Sequence, residues 1–120
     1  MINQDPTNPE TEPQQTPEER KEAAEAYEDK AKEQAQQDPL PKVDMNTFIL
    51  SLSSSAMVHL GEVNDPQSGK SQTDLNLARH TIDMLAMLEE KTRGNLTGDE
   101  EGLLKNILFE LRMKYVQKAG

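Results

Sequence analysis

At 120 residues the chain has room for one domain at most. Its lack of cysteine excludes disulfides and thiolate metal sites. Its net charge of −9 argues against a basic phosphate-reading surface, and its two Phe, two Tyr and no Trp against an aromatic platform for single-stranded nucleic acid.

Residues 1–43 read as a disordered acidic tail rich in Pro, Gln and Glu. Six of the seven prolines lie before Lys42, and this segment carries a net charge of −6 against −3 for residues 44–120. It holds almost nothing large and apolar beyond Ile2, Tyr27, Leu40 and Val43. Such a segment cannot bury enough surface to offset the entropy of ordering it. Within it, Thr16-Pro17-Glu18-Glu19 has the grammar of a helix start, with a capping hydroxyl, Pro at the first helical position and Glu at the third. A helix over 17–37 is therefore predicted. Its apolar line of Ala23, Ala24, Tyr27, Ala31 and Ala35 is thin, so a solvated, partly formed helix is expected, with docking on a partner through Tyr27 as the rival. Asp38-Pro39-Leu40-Pro41 ends it, since each residue before a proline is pushed out of the α region.

Residues 44–120 read as a three-helix domain. The first helix spans about 46–60, capped by Asp44 or Asn46 and stopped by Gly61. It places Met45, Phe48, Ile49, Leu52, Ala56 and Leu60 on one face, with Leu50 and Met57 opposite. Asp65-Pro66-Gln67-Ser68-Gly69 is a turn. The second helix spans about 74–93, with Ser71 or Thr73 as cap. Its wide apolar arc holds Leu75, Leu77, Ala78, Ile82, Met84, Leu85 and Leu88, and the polar arc holds Asn76, Arg79, His80, Asp83 and Glu90. Gly94 then stops that helix in a left-handed conformation, and Thr97 and Glu100 have the spacing of a capping box. The third helix spans about 98–118. Leu103, Leu104, Ile107, Leu108, Leu111 and Tyr115 form one stripe. Phe109, Met113 and Val116 form another, turned away by about 160° on a regular helix. The fold class is all-α: a small bundle of three amphipathic helices preceded by the tail.

Leu60-Gly61, Asp65-Pro66, Asp74-Leu75, Ala78 and Ile82-Asp83-Met84-Leu85 are followed by Lys91-Thr92-Arg93-Gly94-Asn95-Leu96 and Leu111-Arg112-Met113-Lys114-Tyr115-Val116. In this order of features the chain resembles the bacterial family known as domain of unknown function 1844, over residues of about 44–117. The resemblance implies a small, helical, cytoplasmic bacterial protein. That family is functionally uncharacterised, so it supplies no catalytic or binding residue.

Other constellations are weak. His80 and Asp83 share a helix face at a spacing of three and could reach one metal or proton, but a solvated face is the expectation. His59 lies on the apolar side of the first helix, between Phe48 and Leu52. It could sense pH or bind a ligand, although a boundary residue near the helix end is expected. Ser53-Ser54-Ser55 lacks the surroundings of a nucleophile and suits close helix approach. Gly69-Lys70-Ser71 lacks the upstream glycine of a phosphate loop, since Asn64 stands there. Acidic pairs such as Glu89-Glu90 suit helix ends rather than a site.

The surplus apolar surface is the strongest signal. A three-helix unit needs one stripe per helix, so Phe109, Met113, Val116, Leu77 and Met84 are the candidate interaction surface, and Gly94, Thr97 and Glu100 the structural turn. The expected protein is a non-enzymatic homo-oligomeric interaction module, a dimer by preference, with a protein partner possible. No cofactor, metal, nucleic acid or membrane partner is expected. With no long apolar run and no charged segment leading into one, neither a membrane span nor a signal peptide is expected, and the cysteine-free sequence suits the cytoplasm. The alternative is a small ligand- or metal-responsive regulator using His59 or the His80/Asp83 face. Because the tail lacks an apolar face, deleting residues 1–41 should leave the melting temperature nearly unchanged. A drop of more than about 8 °C, over 1 kcal/mol for so small a domain, would show that the tail packs on the core.

Overall fold

The computed structural model describes residues 14–37 and 39–120, and these are helical, without a strand. The part of the acidic tail over 1–13 lies outside the described residues, as does Asp38 of the linker. The chain divides into two compact units, residues 1–42 and 43–120.

In the first unit, α1 spans Pro17–Gln37. The Glu19 amide donates to Thr16 Oγ1 at 3.1 Å, and the Thr16 hydroxyl donates to the Glu19 carboxylate at 3.2 Å. The helix forms over its whole expected length, yet no residue in it is buried and Tyr27 is 71% exposed. High intrinsic propensity from Ala, Glu, Lys and Gln accounts for a helix with so little packing.

The second unit holds α2 (Met45–His59), α3 (Leu75–Lys91) and α4 (Gly98–Ala119), and each of the three packs against the other two. Asp44 caps α2, its carboxylate accepting from the Thr47 amide at 2.7 Å. Asp74 caps α3 through the Leu77 amide at 3.1 Å, in place of the expected Ser71 or Thr73. The expected first helical residue is thus the cap itself. Asp satisfies an orphan amide as well as Ser or Thr does and places its charge at the positive helix end. Ser71 instead donates its hydroxyl to the Gly61 carbonyl at 2.9 Å, which ties the α2–α3 loop to the end of α2. The Asp74 amide donates to the His59 carbonyl at 2.7 Å, a second tie across the same loop. Within the loop the Asp65 carboxylate accepts from the Gln67 amide at 2.8 Å and the Asp65 carbonyl from the Gly69 amide at 2.7 Å, closing the turn around Pro66.

The core consists of Ile49, Ala56 and Leu60 from α2 and its cap, Ala78, Ile82 and Leu85 from α3, and Leu104, Ile107, Leu108 and Leu111 from α4. Met45, Leu52, Met57, Leu75, Leu88, Leu96, Leu103 and Tyr115 fringe it. Phe48, expected on the buried face of α2, is 47% exposed. The buried line of α2 is narrower than its apolar arc, and Phe48 stands a full 100° from Ile49. Thr81 is buried although polar, because its hydroxyl donates to the Leu77 carbonyl one turn back at 3.0 Å.

The α3–α4 turn spends six residues. Gly94 has φ +86°, and Thr97 and Glu100 close a capping box: the Glu100 amide donates to Thr97 Oγ1 at 3.2 Å and the Thr97 amide to the Glu100 carboxylate at 2.8 Å. Gly61 also has a positive φ, +76°, and a Cβ there would collide with Thr73 Oγ1, whereas one at Gly94 would meet nothing within 4 Å. Gly94→Val should therefore cost about 1–2 kcal/mol from backbone strain alone, and Thr97→Ala about 1 kcal/mol from the lost cap. Gly61→Val, which adds a collision to the same strain, should cost more than Gly94→Val. Chemical denaturation of the three variants gives this order directly; equal midpoints for Gly61→Val and Gly94→Val would contradict it.

Candidate interaction surface

Helix α4 is apolar on two sides. Its inner stripe, Leu104, Ile107, Leu108 and Leu111, is at most 8% exposed. Its outer stripe is wet: Phe109 is 66% exposed, Met113 49% and Val116 66%. The period of the helix dictates this, since a residue next in sequence to a buried one lies 100° away and a residue two further on lies nearly opposite. Phe109 and Met113 share a shallow groove with Glu110, Lys114 and Gln117, and Val116 continues the stripe by one turn.

The other candidate contacts lie on α3. Leu77 is 47% exposed in the first turn, while Met84, seven residues on and on the same face, is half-buried. Neither lines the groove at Phe109. Sequence reasoning missed Met87, which is 50% exposed, and misplaced Phe48. Phe48 belongs to an apolar arc wider than the contact α2 makes, a width that periodicity does not report, whereas Met87 stands on the polar arc of α3, four residues from Asp83 and seven from His80.

The turn residues frame a separate cleft of about 240 Å³, lined by Glu89, Thr92, Arg93, Gly94, Leu96, Glu101, Leu104 and Lys105. Lys105 Nζ donates to the Glu101 carboxylate at 2.7 Å. That hydrogen bond, and then the charge of the ammonium, hold the Glu101 carboxyl below its usual range, and the same two effects from Glu101 raise Lys105. Both groups stand in solvent, where such a pair adds little to stability.

The histidines lie apart. His59 is half-buried beside Ser54, Ser55, Val58, Asp65, Pro66 and Gln67, in a shallow depression where the α2–α3 loop returns. Ser54 and Ser55 are exposed there and Ser53 is half-buried. His80, Asp83 and Arg79 are all exposed on α3. Among the described residues, no group of three or more His, Asp and Glu side chains comes together as a metal site would require. No described helix is long and apolar enough to cross a membrane.

Residues 42–117 match the family described as Domain of unknown function (DUF1844). The chain belongs to this family. Neither a curated protein nor a solved structure matches it. The DUF1844 segment covers α2, α3, the Gly94 turn and α4 through Gln117, so the core and the outer stripe of α4 both fall inside it, while α1 falls outside.

Two neighbours in the DUF1844 domain, Leu108 and Phe109, should respond oppositely to truncation. Leu108 is 1% exposed and Phe109 66%. Leu108→Ala should lose about 2–5 kcal/mol of unfolding free energy. Phe109→Ala, measured at low protein concentration, should stay within about 0.5 kcal/mol of the parent. A loss at Phe109 comparable with that at Leu108 would place Phe109 in the core.

Proposed function

We propose that this DUF1844 protein is a non-enzymatic interaction module that self-associates as a dimer through the outer stripe of α4. The observation that carries the reading is the exposure of Phe109, Met113 and Val116, at 66%, 49% and 66%, on the side of α4 away from the core. Three large apolar side chains in line on one helix are a costly surface to leave wet, and self-association is the commonest way to cover one. Burying what remains exposed is worth on the order of 1–2 kcal/mol per side chain. The stripes of two protomers together then recover about 6–12 kcal/mol, against an association cost of roughly 4–15 kcal/mol. At the favourable end of both ranges about 8 kcal/mol remains, so a dimer held by this stripe alone is of micromolar strength at most.

The net charge of −9 opposes attraction to phosphate backbones or to anionic lipid, and supports a protein partner. The cysteine-free sequence supports a cytoplasmic setting.

Sedimentation velocity from low to high micromolar concentration tests the reading. The parent should shift from monomer to dimer mass, and Phe109→Asp should remain monomeric with its helical circular dichroism intact. A parent that stays monomeric at high micromolar concentration, or a Phe109→Asp chain that simply unfolds, contradicts it.

A further inference from the structure

The outer face of α4 is not uniform along its length. At 3.6 residues per turn, Gly98, Gly102, Phe109, Met113 and Val116 project within about 60° of one another. The bulky side chains all lie in the C-terminal half of this face and the two glycines in the N-terminal half. Both glycines are exposed, and a Cβ on either would meet nothing within 4 Å. Nothing in the protomer requires Gly102, then, although glycine is unfavourable inside a helix relative to alanine.

Charge marks the edges of this face. Glu101 flanks the glycine half and Arg112 the bulky half on the same edge, while Asp99 and Glu110 flank the other edge. Glu100, Lys114 and Lys118 stand on the far side of the helix. The face is therefore complementary to itself in shape when reversed, a bulky half against a notched half, and the edge that carries Glu101 and Arg112 then sets opposite charges together.

We propose that α4 pairs antiparallel with α4 of a second copy, about a two-fold axis near Asn106, with Phe109 seated over Gly102 of the other chain and Arg112 beside its Glu101. This rests on the self-association reading above and gives it an orientation. The midpoint between Phe109 and Gly102 lies between Lys105 and Asn106, so a single axis serves both contacts by symmetry. Met113 and Val116 then run along the Gly98 end of the other helix. Missing Cβ atoms let two helices approach closely there, as small residues do at other tight helix crossings. Lys105, close to the axis, already has its charge met by Glu101 of its own helix at 2.7 Å. A parallel pair would instead set Asp99 and Glu101 near their own copies, Arg112 near Arg112 and Phe109 against Phe109, leaving both glycine notches empty.

Because the chain has no cysteine, a single nitroxide can be placed by Gln117→Cys in the full-length protein and its inter-chain distance read by pulsed electron resonance. Gln117 lies eleven residues from the axis at Asn106, so an antiparallel pair separates the two labels by about 33 Å along the helices, whereas a parallel pair holds them about 10 Å apart. The companion variant is Gly102→Leu. It should leave the protomer as stable as the parent or more so, since it replaces glycine inside an exposed stretch of helix, yet weaken dimerisation at least tenfold by filling the notch. The long distance together with the weakened Gly102→Leu dimer supports the proposal. A dimer with labels close together overturns the orientation while leaving self-association standing. An unchanged dissociation constant for Gly102→Leu overturns the seat of Phe109. A labelled chain that is monomeric throughout overturns the self-association reading and this proposal with it.

Discussion

The domain exists only if Leu104, Ile107, Leu108 and Leu111 are held out of water against α2 and α3. Residues 43–120 form too small a unit to afford a second core, and with no cysteine there is no disulfide to supplement the one they have. These four residues are at most 8% exposed and supply four of the ten buried apolar positions. Everything else about α4 follows from fixing that stripe inward. Once its rotation is set, Phe109, Met113 and Val116 must face outward, because the helical period leaves them no other place. The outer stripe is thus a consequence of the core's geometry, and its apolar character is the feature the core does not explain.

The joints serve the same end. The Gly94 stop and the Thr97–Glu100 box reverse the chain in six residues, which lets α4 return along α3 at the angle its inner stripe needs. The longer α2–α3 connection is kept in place by the Ser71 hydroxyl on the Gly61 carbonyl and the Asp74 amide on the His59 carbonyl. An ion pair between Lys118 and Glu62, at 3.9 Å and partly exposed, joins this loop to the end of α4 but contributes little by itself.

Much of this was legible in the sequence. Helix stops and starts have local chemistry, so Gly94, Thr97, Glu100, Gly61 and the turn at Pro66 could be placed from residue types and spacing. The two-sidedness of α4 was equally plain, since 3.6-residue periodicity separates Leu108 from Phe109 without any knowledge of the neighbours. The width of a buried face was not legible. Phe48 and Ile49 both belong to the apolar arc of α2, and only the positions of α3 and α4 decide that Ile49 is buried and Phe48 half-exposed. The Asp74 cap was missed because Asp serves equally as cap and as first-turn residue. Thr81 was missed because its hydroxyl is satisfied within its own helix, which a hydropathy ranking does not register.

The central claim is that the outer stripe of α4 is covered by a second copy of the chain. Methyl-labelled methionine offers the most direct measurement, because Met113 sits in the stripe while Met45 and Met57 fringe the core. Their signals can be followed with a soluble paramagnetic agent as the protein is diluted. The account predicts that Met113 is shielded at high protein concentration and becomes accessible on dilution, while Met45 and Met57 do not change. A Met113 methyl that is equally accessible at every concentration would contradict it.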